Sequence, residues 1–477
     1  MQAEIAVLRF GLGARPGDLA AAAPDPRAWL KAQIQGAVPL AVDARLAPSD
    51  QIYQGLLAAR DERKEVKRES AANSADAQAQ DAKVVFNAVR QAYQPHYRAQ
   101  VLARAQSAAL TSRPFAERLV HFWSNHFAVS ADKGIVYGLA GTLENEAIRP
   151  HVGGRFIDLL TAVEQHPAMI AFLDNQYSVG KDSQAALMVA RFNGFGAFGS
   201  ANPKRQLGIN ENLAREILEL HTLGVNGGYS QADVTSFAQI ITGWSIGGGK
   251  GRLAGGVPGR FYFRENLHQP GAKTFLGKTY TEQGQRQGEA VLADLTRKPA
   301  TANFIAGKLV RHFIADDPPS AAVERVANAF LKSGGDLPKV YAALIESPEA
   351  WDPMPRKFKT PEDFVFSTLR SLDVSPENPE QVVRTFDLLG QRQYTPGSPA
   401  GWPDTAKSWD GSDGLIHRVL WASRVADKYE RGIEPADLAT SSLGAYARPD
   451  TLTALRRATS SSQAVALLLM SPEFQRR

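Results

Sequence analysis

The sequence predicts a mainly α protein, a large multi-helical body with a small β-hairpin insertion near residues 258–280. Three observations lead there. Helical periodicity dominates up to about residue 240, a glycine-rich middle interrupts it with two short β-type runs, and helical periodicity returns after Glu282 and continues nearly to the end. At 477 residues the chain exceeds what one simple core usually supports. The expectation is one large helical domain over 1–477, or two intimately packed lobes, 1–245 and 282–477, joined by the Gly-rich segment 246–281.

The elements follow in order. From about Asp50 to Ala109 the chain is rich in Ala, Gln, Arg, Lys and Glu, and "RDERKEVKRESAANSADAQAQDAK" within it is so polar that a solvated helix pair or a connection is expected. Amphipathic helices follow near Phe115 to Phe127, Leu139 to Ile148 and Phe156 to Leu173. Between Gly243 and Gly277 the runs "RFYF" and "KTFLGKTY" stand among many glycines and read as the hairpin. An echo, "ALIESPEAW" and "ALLLMSPEF", places Ser-Pro-Glu after an apolar helix end. There Ser can cap the next turn, Pro suits its first position and Glu favours the positive end of the dipole.

Composition narrows the chemistry. Hydrophobic residues make up 44% and charged residues 22%, ordinary values for a globular protein. The formal charge is +5, but 54 cations and 49 anions are spread along the chain, so no nucleic-acid stripe is expected. With no cysteine there is no disulfide, thiolate metal site, iron–sulfur ligation or cysteine nucleophile. The start has neither a basic segment followed by a long apolar run nor a cleavage site, and no window approaches the roughly 18 apolar residues of a membrane span. A cytoplasmic location is the default expectation from this.

Familiar motifs fail on spacing. "FGLGARPG" lacks GxGxxG spacing, and "GGGKG" lacks both the P-loop spacing and the Ser or Thr after its lysine. HExxH and GxSxG are absent. Any metal site must be assembled from distant members of the nine histidines.

Helical projection sorts the remaining candidates. In "PFAERLVHFWSNHFAVS", Phe115, Leu119, Phe122, Trp123, His126 and Phe127 share an apolar face, while Glu117, His121 and Asn125 line the other side at i, i+4, i+8. In "NENLAREILELHTLGVNGGYSQADV", Leu213, Ile217, Leu220 and His221 fall together, and Asn212, Arg215, Glu216 and Glu219 occupy the opposite arc. Gly224, Gly227 and Gly228 end that helix and turn the chain.

A single inward histidine is ordinarily a satisfied core hydrogen-bonder, and surface glutamates ordinarily pair with cations. Two inward histidines on separate helices, His126 and His221, instead invite proton transfer or ligation of a divalent metal. His268 and Lys273 flank a Pro-Gly turn in "HQPGAK". "GKLVRHF" sets Lys308, Arg311 and His312 on adjacent turns, where they suit an anion.

Taken in order, "ERLVHFWSNHFAVSADK", "NENLAREILELHTLGVNGGYSQADV" through "ITGWSI", "HQPGAKTFLG", "KLVRHFIADDPP", "SGGDL", "SPEAW" and "GWPDT" resemble the bacterial domain-of-unknown-function 1800 family over nearly the whole chain. The resemblance implies a largely helical protein, often exported or periplasmic. It is frequently encoded beside a second protein that resembles sulfatases and alkaline phosphatases, which makes such a protein a candidate partner. It implies no activity. Through "GWPDT" it adds Trp402 and Asp404 to the candidate binding residues. Two departures stand out: the family usually shows His-Asp where this chain has His268-Gln269, and many relatives begin with an export signal. A trimmed chain, a cytoplasmic member or a passenger of a folded partner would each account for the second.

Two functions are expected from these residues. In the first, a hydrolase-type enzyme uses His121, His126, Glu216 and His221 as acids, bases or metal ligands, His126 and His221 being the metal candidates. Asn125, Asn212, Arg215, His268, Lys273, Lys308, Arg311, Trp402 and Asp404 would then hold a carbohydrate or another anionic extracellular substrate. In the second, the chain is a non-catalytic partner or escort of the phosphatase- or sulfatase-like protein.

Overall fold

The computed structural model describes residues 1–58, 77–193, 208–249, 254–429 and 434–477; most of the polar "RDERKEVKRESAANSADAQAQDAK" segment and part of "GGGKG" lie outside these. The described chain is mostly helical with two small antiparallel sheets of two strands each. Buried apolar side chains from Ile5 to Phe474 join in one contiguous cluster.

Sequence chemistry accounts for many helix starts. Asp25, Ser230, Asp336, Thr360, Asn378 and Ser460 each cap a helix through the side chain. Proline occupies the first turn of several, as in Pro114–His126, Pro299–Phe313 and Pro361–Ser371. Ser230 with Asp233, and Thr360 with Asp363, form reciprocal capping boxes. The Ser-Pro-Glu echo divides. Ser471 Oγ accepts from the Phe474 amide, whereas Ser347 Oγ donates back to the Ala343 carbonyl and caps nothing.

The expected hairpin is "KTFLGKTY": Lys273–Phe275 pairs with Lys278–Tyr280 around Leu276 and Gly277. Both turn residues have positive φ, 49° and 75°, and the strained Leu276 is compensated by its amide donating to Asp233 Oδ1 at 2.9 Å. "FYF" does not join this hairpin. Phe261–Phe263 pairs back onto Trp244–Ile246, because Gly243 lets the chain run extended straight after its helix.

Four elements surround the interior that matters most. They are the C-terminal part of the long Ala77–Leu110 helix, the Pro114–His126 helix, the wide turn Leu143–Ile148 and the Pro361–Ser371 helix. The Pro299–Phe313 helix packs against Ser320–Ser333, and that in turn against Leu337–Ile345. The Ser412–Tyr429 helix packs on Ser461–Leu469. In "NENLAREILELH" the α-helix covers Asn212–Glu216 and then widens to i→i+5 bonding over Ile217–His221. The wider turn carries His221 into the core and leaves Leu220 only half-buried, so the uniform 100° projection holds for its first half alone.

Candidate functional site

The Pro114–His126 helix is buried on both sides. Its apolar face packs as its periodicity demands, and Trp123 Nε1 donates to the Tyr341 hydroxyl at 2.6 Å. The polar ridge of Glu117, His121 and Asn125 does not face solvent. Glu117 is 0% and His121 7% exposed, so an ionised carboxylate here must find cations or lose several kcal/mol. Arg149 supplies the fork: its Nη1 and Nη2 reach the two Glu117 oxygens at 2.8 and 2.6 Å, and Nη2 also reaches Glu144 at 2.9 Å. Arg104 bridges Glu144 and Glu362, the latter at 2.8 Å. His121 Nδ1 lies 3.1 Å from Glu362 and its Nε2 3.4 Å from Glu117.

The chain of charges continues around Asp363. Arg118 Nη2 donates to Asp363 Oδ1 at 2.5 Å and Arg477 Nε to Oδ2 at 2.9 Å, while Arg118 also donates to the Gly11 carbonyl. Asp363 thus serves both as the capping-box partner of Thr360 and as the meeting point of two buried guanidinium groups. Beside it, His312 Nδ1 lies 2.7 Å from Asp404 Oδ2, and Lys357 reaches the Asp404 carbonyl and Asp316 Oδ1, both at 2.5 Å.

These groups wall a cleft lined by Arg104, Arg118, His121, Asn125, His312, Glu362, Asp363, Trp402 and Asp404. Its enclosed volume is about 70 Å3, room for several waters at roughly 10–15 Å3 each or for one small polar group. His312 Nε2, Arg104 Nε and Arg118 Nε are buried without a hydrogen-bond partner, whereas His121 Nε2 and Asp404 Oδ1 have only long ion-pair contacts, to Glu117 at 3.4 Å and to Lys357 at 3.3 Å. Buried polar atoms are seldom left so.

The loop carrying Asp404 is fixed by the end of the same helix. Asn125 Nδ2 donates to the Trp402 carbonyl at 3.0 Å and the Trp402 amide to Asn125 Oδ1 at 2.7 Å. Gly401 has φ of +84°, and a Cβ there would lie 2.3 Å from the Asn125 carbonyl oxygen, so only glycine allows the approach.

Protonation follows from burial and neighbours. Burial pushes the His312 imidazole down to about 4, outweighing Asp404, so it is neutral at neutral pH. A neutral ring beside a carboxylate keeps its proton on Nδ1 and an open lone pair on Nε2. Burial lowers His121 as well, reinforced by Arg104 and opposed by Glu362 and Glu117. Burial alone would raise Asp404, Asp363 and Glu117, yet His312 and Lys357, Arg118 and Arg477, and Arg149 respectively hold them well below the usual carboxylate range.

The remaining sequence candidates lie elsewhere. His126 and His221 do meet, with ring centroids 6.2 Å apart, but among Phe122, Trp123, Phe127 and Phe304. His126 Nε2 donates to the His221 carbonyl at 3.2 Å, and His221 Nδ1 lies 2.7 Å from the buried Glu164. Glu164, not Glu216, is the carboxylate His221 finds. Glu216 is half-buried on the outer arc, raised by burial, and does not line the cleft.

Asn212 is exposed, and Arg215 is spanned by Glu211, Glu219 and Gln231 on the surface. His268 Nδ1 donates to the Thr242 carbonyl at 2.9 Å and lines a separate pocket with Asp182 and Glu265. The neighbouring Gln269 amide donates to Asp182. Lys273 Nζ is saturated by Gln269 O, Gly271 O and Gln287 Oε1 at 2.6, 2.7 and 3.1 Å. Lys308 is half-buried over the Phe304 ring and lowered to about 8 by burial. Arg311 reaches the Asp316 carbonyl from the surface. Among the described residues no three His, Asp or Glu side chains converge as metal ligands.

Four cleft residues, His121, Asn125, Trp402 and Asp404, were therefore named by sequence reasoning, whereas Arg104, Arg118, Glu362 and Asp363 were not. His312 stood in view in "GKLVRHF". Glu362 and Asp363 read as first-turn acids of a capped helix, and only the lysines and arginines gathered around "KFKTPED" signal more.

No helix among the described residues is long and apolar enough to cross a membrane. Neither a curated protein nor a solved structure matches the chain. A family model described as a protein of unknown function, DUF1800, matches residues 5–476, so every lining residue of the cleft lies within the match, and the chain belongs to that family.

Proposed function

We propose that the cleft is a general acid/base site for hydrolysis. The observation that carries this reading is the Asp404–His312 pair: a carboxylate 2.7 Å from Nδ1 of a neutral imidazole whose buried Nε2 has no partner in a water-sized cavity. In that reading His312 Nε2 takes a proton from a water as the water oxygen attacks the electrophilic centre of the substrate. Asp404 holds the ring and stabilises the imidazolium, which then gives its proton to the leaving group. The unpartnered Nε–H groups of Arg104 and Arg118 stand ready for developing negative charge. His121, backed by Glu362, is the second proton carrier. A space of about 70 Å3 admits the reacting group and leaves the rest of an anionic substrate, a carbohydrate among them, at the mouth near Trp402. His126 and His221 take a structural role in this reading.

The test is hydrolysis of a panel of p-nitrophenyl esters, phosphates, sulfates and glycosides by the purified protein. His312→Gln, which preserves shape, is expected to lower kcat/KM about 10²- to 10⁴-fold with the circular dichroism spectrum unchanged. Asp404→Asn should lower it alongside. Turnover that survives His312→Gln, or no turnover of any substrate class, rejects the proposal.

One observation favours the non-catalytic alternative. Glu117, Glu144, Glu362, Asp363 and Asp404 each already have a cationic partner, as a network that only locks helices together would require. In that case His312→Gln changes stability and nothing else.

A further inference from the structure

A second feature lies away from the cleft, between the Pro379–Leu388 and Ser412–Tyr429 helices. Their groove encloses about 290 Å3 and is lined by Arg384, Arg424 and Lys428 above a floor containing Trp421. Trp421 is 7% exposed and its Nε1 donates to Thr385 Oγ1 at 3.3 Å, so the floor is rigid. The carboxylate in the groove, Glu380, is turned to Arg98 at 2.7 Å. Among the described residues Arg384, Arg424 and Lys428 meet no carboxylate; Lys428 reaches the Gln381 amide oxygen at 3.3 Å and lies 4.9 Å from the centre of the Tyr429 ring. Three exposed cations without an anion are unusual in a chain with nearly as many acids as bases.

The same helix has an apolar half. Ile416, Val419 and Leu420 are 56%, 48% and 46% exposed, at the i, i+3, i+4 spacing of one helix face. Ile416, Leu420, Arg424 and Lys428 form a single i+4 row, two apolar positions followed by two cations. At 1.5 Å per residue the row is about 18 Å long, the length of a three-turn helix. A buried helix would show neither the open leucine nor the open arginine, and Arg418, which does face inward, is fully engaged by Gln475 and the Lys359 carbonyl.

We propose that this groove, together with the exposed face of the same helix just before it, docks an acidic amphipathic segment of another protein, with apolar side chains over Ile416, Val419 and Leu420 and carboxylates against Arg384, Arg424 and Lys428. A sulfated or phosphorylated polymer would satisfy the cations but leave the apolar half uncovered, so the pairing of both chemistries on one row favours a protein segment. The proposal uses no residue of the cleft, and either can fail without the other.

Selection of a display library of random 16-residue peptides against the full-length protein tests it, with the enriched peptides measured by fluorescence anisotropy. Enrichment of peptides that combine Asp or Glu with Leu, Ile or Phe is expected. Their binding should weaken about tenfold or more in Arg384→Glu/Arg424→Glu and in Ile416→Ser/Leu420→Ser, and should weaken as salt is raised. All four positions are exposed, so the variants keep the wild-type melting curve. The proposal is overturned if the enriched peptides bind both variants as well as wild type. It is equally overturned if no acidic-apolar peptide is enriched while dextran sulfate binds in an Arg424-dependent manner, which would assign the groove to a polyanion.

Discussion

Glu117 is the residue at which helical periodicity and tertiary environment part company. Position i, i+4, i+8 with His121 and Asn125 is the pattern of a solvated ridge, yet Glu117 is wholly buried and survives as an anion through the two-pronged contact with Arg149. Removing one partner of such a pair strands the other charge. Arg149→Met should therefore cost about 3–5 kcal/mol in chemical denaturation, and Glu117→Leu/Arg149→Met should recover part of that loss. A loss below about 1 kcal/mol for the single variant would show that water reaches the pair. At this scale the sequence disclosed which side chains share a ridge. It could not disclose that the ridge is inside, because a carboxylate has the same spacing on a wet face and on a dry one.

At the scale of elements, capping and turn chemistry were the most legible features. Ser230 with Asp233, Thr360 with Asp363, and the prolines in first turns start helices where their side chains require it, because these are contacts within four residues. The loop at Gly401 is different in kind. Its conformation depends on the carbonyl and amide of Asn125, on a helix 277 residues before Trp402. Gly401→Ala meets both a left-handed φ and a clash, costing of order 1–3 kcal/mol locally. The expected result is faster amide hydrogen exchange over residues 400–409 while the helix cores stay protected, and, under the proposed hydrolytic reading, turnover that falls as in Asp404→Asn. Unchanged exchange in that loop would mean that the backbone finds another path around Asn125.

For the whole molecule, the buried titrating groups give one directional consequence. His312 is held at about 4 against an ordinary 6.5, and His121, His126 and His166 are lowered too, all chiefly by burial. Between those values the unfolded chain takes up protons that the folded chain refuses. The histidine contribution to stability is therefore complete above about pH 6.5 and is lost as pH falls toward 4, with His312 alone contributing up to about 3 kcal/mol of the change. Asp404, Asp363 and Glu117, also lowered, extend the loss to still lower pH with the same sign. Denaturation midpoints measured from pH 7 to 4 should fall steadily, and less steeply in His312→Gln. A flat profile over that range would mean that the histidines are protonated in the folded state.

Periodicity and contacts within a few residues were enough for the helical class, the glycine-marked β segment and the inward direction of His126, and of His221 although a wider turn delivers it; the family followed from motifs matched in order along the chain. Tertiary structure alone decided that these two histidines sit in an aromatic core. It also decided that His221 pairs with Glu164, and that Arg104, Arg118, Glu362, Asp363, His312 and Asp404 close around one cleft, with Glu144 and Arg477 pairing behind them. The reason is physical. Periodicity reports which residues share a face, but the Coulomb and hydrogen-bond partners of a buried charge are chosen by which faces pack together, and that choice has no spacing in the chain.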